Sequence, residues 1–140
     1  MASFNPLILK MISEGNKLYS QGNVDEAINN SISVLNELDV IYGDRYKSEE
    51  ARLVMMSLYD IYFSRGDYIE VKKWASDIFK CNIPDIATSE LVNLGAVCLE
   101  LGENDEAYEC FIKAYKKGKN RAFKEYPSKY WEFFKSRYKE

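Results

Sequence analysis

Two stretches of the chain, eighty positions apart, carry the same short text. Gly22-Asn23-Val24-Asp25-Glu26-Ala27 is answered by Gly102-Glu103-Asn104-Asp105-Glu106-Ala107, and a looser version stands at Gly66-Asp67. Glycine adopts the left-handed backbone that stops a helix, and an Asn or Asp after it can accept hydrogen bonds at the start of the next. On both sides of each break, apolar residues recur at three- and four-residue steps. Leu91, Leu94 and Cys98 precede the last break, and Ala107, Phe111 and Ala114 follow it. That spacing places them on one helical stripe. The text therefore predicts a helix–turn–helix hairpin, used three times.

The totals exclude several classes. A chain of 140 residues is one compact domain or a short array of repeats. With 46% hydrophobic and 29% charged residues it is not disordered throughout, and seven Gly and three Pro leave room for long helices. It contains no histidine, so the commonest general acid/base and metal ligand is missing. Cys81, Cys98 and Cys110 form no Cys-x-x-Cys pair and read as small buried side chains in a reducing compartment. Neither a metal nor another cofactor is expected. The N-terminal MASFNPLILKMISEG has a short apolar run broken by Lys10 and does not read as a secretory signal. Nothing approaches the roughly 18 apolar residues that cross a bilayer, so the expectation is a cytoplasmic protein without a membrane partner. No phosphate-cradling glycine loop or nucleophile elbow occurs, and the acids Glu100, Glu103, Asp105, Glu106 and Glu109 read as a solvated helix start. The chain is not expected to be an enzyme.

The breaks lie 44 and then 36 residues apart, near the unit of about 34 residues of the tetratricopeptide repeat. In the third unit Leu94-Gly95, Gly102, Ala107, Phe111 and Ala114 occupy that family's large–small–small packing slots in order. The first unit matches with Gly15, Leu18, Gly22, Ala27 and Val34, but Ser31 stands where a large apolar residue is usual. The second departs most: Tyr59 replaces the small residue of its first helix, Val71 the near-invariant Ala, and Ala75 sits beside Trp74. Over about residues 8–118 the chain resembles the tetratricopeptide family. The resemblance implies an all-α fold of three such hairpins, at about 8–42, 46–82 and 86–118, in a short right-handed solenoid forming a single domain 1–140. A C-terminal capping helix at 121–139 would cover the last hairpin with Phe123, Tyr130, Trp131, Phe133 and Phe134. The longer first spacing is expected to extend the second helix. Ser48-Glu49-Glu50 should start the third, Gly118 should stop the sixth, and Pro127 should open the last.

In this family the first helix of each pair lines a groove. Carried over by position, the partner-binding residues are Ile12, Asn16 and Tyr19, beside Leu9; Met56, Asp60 and Phe63, beside Leu53; and Val92, Ala96, Leu99 and Glu100. Relatives that grip a peptide's terminal carboxylate do so with Lys, Asn and Arg. Here Asn16 is kept, but Ile12, Ser89 and Asn93 replace the basic positions, so that clamp is not expected. The ending, an Arg-Ala-Phe turn and a Lys-Tyr-Trp-Glu-Phe-Phe helix, resembles small stand-alone bacterial members, some of them immunity proteins. The implied function is non-enzymatic protein–protein interaction, most concretely a cytoplasmic immunity protein that binds and neutralises a bacterial toxin. The alternative is a chaperone or adaptor sheltering an apolar segment of a client protein. A third and weaker reading is nucleic-acid association, since Lys113–Lys139 holds ten Lys/Arg against two acids, interleaved with aromatic rings. The net charge of −3 opposes it. For the groove residues the competing reading is occupation by the chain's own aromatic C-terminal helix.

Overall fold

The computed structural model describes residues 4–139. Glu140 and the first three residues, part of the N-terminal stretch read for a signal, lie outside the described residues. Among the described residues there is no β-strand. Within the same residues seven α-helices follow one another: α1 Pro6–Ser20, α2 Val24–Tyr42, α3 Glu49–Ser64, α4 Tyr68–Asp77, α5 Ser89–Glu100, α6 Asn104–Gly118 and α7 Ser128–Arg137. Short 3-10 turns stand at Arg45–Lys47, Ile78–Lys80 and Lys119–Phe123. This is the all-α, hairpin-repeat architecture that the sequence predicts. The chain forms two compact units, Met1–Asn82 with α1 to α4 and Ile83–Glu140 with α5 to α7.

The repeated text makes one turn three times. After α1 the Asn23 N–H donates to the Leu18 carbonyl at 2.9 Å and the Gly22 N–H to Tyr19 at 3.0 Å. After α3 the same pair runs from Asp67 to Tyr62 and from Gly66 to Phe63, and after α5 from Glu103 to Cys98 and from Gly102 to Leu99. The three glycines have φ of 83°, 74° and 79°, so each closes a Schellman motif that satisfies two terminal carbonyls. The expectation of a side-chain cap on the following helix is corrected here: Asn23, Asp67 and Glu103 make none. Each of these residues finishes one helix with its N–H and starts the next with its carbonyl, which accepts from Ala27, Val71 or Ala107 at 3.0–3.1 Å. The backbone does both jobs, which is why a Glu serves as well as an Asn.

In the first unit, α1 opens on Asn5, whose side chain accepts from the Leu7 and Ile8 N–H groups, with Pro6 at the first helical position. The long spacing goes into α2, at 19 residues, and its exit is clamped by Arg45. The Arg45 guanidinium donates to Asp39 at 2.8 Å and to Asn36 at 3.1 Å, and it holds the Asp39 carboxyl below its usual range. Ser48 caps α3 by accepting from the Ala51 N–H at 3.1 Å, as expected. The buried Glu50 carboxylate then accepts from the Asn5 N–H and the Tyr42 hydroxyl, which ties the starts of α1 and α3 to the end of α2. Tyr46 donates to Asp77 at 2.7 Å, and burial with that bond pushes its hydroxyl up to about 12.

In the second unit, α5 and α6 cross where Gly95 faces the Phe111 ring; a Cβ on Gly95 would lie 2.4 Å from it. Phe111 is fully buried and meets Phe123 at 5.4 Å and Tyr130 at 6.1 Å. Phe134 of α7 packs against Tyr115, Phe123 and Tyr138 with centroids 5.0–5.5 Å apart. Two boundaries differ from expectation. α6 runs through Gly118, and the reversal falls on Lys119, which carries φ 55°. Gly118 serves close packing instead, since a Cβ there would stand 3.3 Å from Thr88 and 3.4 Å from Ala122. Pro127 precedes α7 as its N-cap residue, and the helix begins at Ser128.

Candidate functional site

The size of one residue in each hairpin decides where space is left. At the crossing where the third hairpin sets Gly95 against Phe111, the second places Tyr59 and Ala75, both buried. Large and small have changed helices with little change in total volume, the kind of exchange cores tolerate best. The first hairpin has Gly15 and Ser31 at the same register, small on both sides. Asn30 fills part of the gap: its amide lies against Gly15 and donates to the Met11 carbonyl at 2.9 Å. The rest stays open as a cleft of about 270 Å³ in the first unit.

Three helices build the cleft. α1 supplies Ile12, Gly15, Asn16 and Tyr19; α2 supplies Ala27, Asn30, Ser31 and Val34; α3 supplies Leu53, Val54, Ser57, Asp60 and Ile61. Apolar walls thus carry a few polar groups, the usual make-up of a binding site. Among the described residues no lysine or arginine lines it. Asp60 is its one carboxylate, and among the described residues no hydrogen bond or ion pair involves it. Asp60 is exposed, yet the neighbouring side chains strip enough water to raise its carboxyl above the ordinary value. Arg65, five residues further along the chain, is engaged with Asp25 at 2.7 Å.

Of the ten residues carried over from the family pattern, Ile12, Asn16, Tyr19 and Asp60 come together in this cleft. Met56 is half-buried outside its lining, and Phe63 lies between Tyr59 at 5.5 Å and Tyr68 at 5.2 Å. In the second unit Val92 and Ala96 are buried and Leu99 is half-buried. The Glu100 carboxylate accepts from the Tyr130 hydroxyl at 3.0 Å and pairs with Lys129, which together hold it below its usual range. The Asn93 side chain accepts from the Tyr126 hydroxyl at 2.9 Å. Asn93 and Glu100 of α5 are thus engaged by the chain's own C-terminal segment. Asn30, Ser31 and Ser57 complete the cleft and were not among the expected site residues. The signal for them was Ser31 in a slot where the tetratricopeptide pattern usually has a large apolar side chain.

The Cys98 thiol and the Glu103 and Glu106 carboxylates lie within 4.8 Å of one another at the start of α6, the thiol donating weakly to Glu106 at 3.7 Å. A soft thiol with two hard carboxylates selects no particular metal. Among the described residues no helix is long and apolar enough to cross a membrane.

No protein-family model matches the chain, and no curated protein matches it. Among solved structures, the C-terminal TPR-containing domain of a Plasmodium falciparum protein described as FK506-binding aligns with a TM-score of 0.63. The alignment covers 92% of this chain and 84% of that one at 19% identity. At that identity the likeness shows the fold alone: a helical repeat of the tetratricopeptide type.

Proposed function

We propose that this chain is a non-enzymatic protein-binding module whose first unit seats a segment of its partner, and that the partner is a bacterial toxin which it neutralises. The cleft among α1, α2 and α3 carries this reading: it is preformed, apolar-walled and furnished with a few unengaged polar groups. At about 270 Å³ it falls below the usual range for a small-molecule pocket, roughly 300–1,000 Å³. It is also smaller than a single turn of helix, which is about 10–12 Å across and about 5.4 Å long. One or two side chains projecting from a larger partner surface fit it. Ile12, Asn16, Tyr19 and Asp60 are the residues we assign to that contact. Toxin neutralisation rests on the resemblance of the chain's ending to small immunity proteins.

Co-expression with the toxin encoded beside its gene tests the reading. Growth should be rescued and the two proteins should co-purify; a neighbouring gene without toxicity, or no rescue, removes the toxin assignment. The sheltering of a client is favoured by the exposure of Leu53 and Tyr19, 44% and 45%, at the same cleft. It predicts a raised soluble yield of the client. Against a nucleic-acid role, the rings Phe123, Tyr130 and Phe134 are buried, and Arg137 is paired with Asp105 at 2.8 Å.

A further inference from the structure

The cleft is specific in charge as well as in shape. Its floor and walls come from Ile12, Leu53 and Ile61, its neutral polar groups from Asn16 and Ser57, and its one charge from Asp60. Any occupant that covers Asp60 must therefore satisfy a carboxylate that no hydrogen bond or ion pair engages among the described residues. An anionic occupant, including a peptide's terminal carboxylate, would meet like charge at short range. A bare divalent cation would find one carboxylate where hard-metal sites gather several oxygen ligands. An uncharged apolar side chain would cover Asp60 without pairing it, which is the costly arrangement. A basic side chain meets every demand, because its methylene stem lies along the apolar walls while its head group donates to the carboxylate. The ring of Tyr19, itself exposed, also lines the cleft, where a cation can stack on an aromatic face.

We propose that the cleft of the first unit is a receptor for a single lysine or arginine side chain presented by the partner protein, with Asp60 as its counter-charge. This rests on the reading of the chain as a protein-binding module. Asn16 and Ser57 hold the remaining donors of the head group, and Ile12 and Leu53 clasp its stem.

Peptides selected from a displayed random library on the full-length chain provide the test. The selected peptides should share a basic residue whose replacement by norleucine weakens binding about tenfold or more, a change of about 1.4 kcal/mol per tenfold. Asp60→Asn should weaken the parent peptide by as much and the norleucine peptide hardly at all, since the two changes remove one interaction. Melting curves should show the variant folded. Peptides that bind but ignore both replacements overturn the assignment to a basic side chain and leave the protein-binding reading standing. Failure to select any peptide overturns both.

Discussion

At the scale of single residues, two positions show how local preference and packing part company. Helix propensity alone says that Gly95→Ala should gain about 1 kcal/mol. The added Cβ would stand 2.4 Å from the Phe111 ring, which is held by Phe123 and Tyr130 and has nowhere to go. Overpacking of that kind costs about 1–3 kcal/mol, so the substitution should lower the urea midpoint. In a Phe111→Leu background, where the ring is gone, the same change should raise it. Asp60 makes the opposite argument. Its carboxyl is raised above 3.8 in the folded chain, so between 3.8 and the folded value the native state binds more protons than the unfolded state. Stability therefore falls as pH rises through that window, and the full penalty persists above it. Asp60→Asn should be at least as stable as the parent at neutral pH, with the difference vanishing near pH 3 in thermal melts. The Gly95–Phe111 pair was legible in the sequence because both residues sit in fixed slots of a repeat. That Asp60 has no partner among the described residues was not, since sequence places a residue on a helix face without saying which side chains it meets there.

Among the elements, α2 is where the sequence said least. Its length was readable from the spacing of the glycines, but its share in the cleft was not, because the groove had been assigned to the first helix of each pair. A second helix enters such a site only where its own crossing residue is small, and Ser31 is that residue. Ser31→Phe would restore to the first hairpin the ring that Phe111 gives the third. Burying that side chain is worth about 1.5–3 kcal/mol. Displacing Asn30 from the Met11 carbonyl costs about 0.5–1.5 kcal/mol. The variant should thus melt no lower than the parent while losing its affinity for selected peptides. A binding-competent Ser31→Phe protein would show the cleft to be unused. The 3-10 turn at Arg45–Lys47 was not among the expected elements, and the one at Lys119–Phe123 takes in the expected Arg-Ala-Phe turn but starts two residues before it. The first depends on the Arg45–Asp39 clamp, and the second takes its reversal at a lysine rather than at the glycine beside it.

For the whole molecule, three hairpins were readable because the chain repeats itself; the use made of them was not, because a fold shared at 19% identity carries no partner with it. The thiols offer a global check on the packing. Cys81 and Cys98 are 7% and 1% exposed, whereas Cys110 is half-buried. Under native conditions a maleimide should modify Cys110 first, with Cys81 and Cys98 reacting only as their surroundings open, as read by mass spectrometry of the digested protein. Rapid native labelling of Cys98 would contradict the placement of α5. The three corners after α1, α3 and α5 have a longer reach. Drawn by main-chain geometry and indifferent to whether Asn, Asp or Glu follows the glycine, they are standard joints. A gene written this way gains or sheds a unit by copying or dropping a block of codons, with no new joint to invent, so the number of units and the chemistry of any one of them are free to evolve apart.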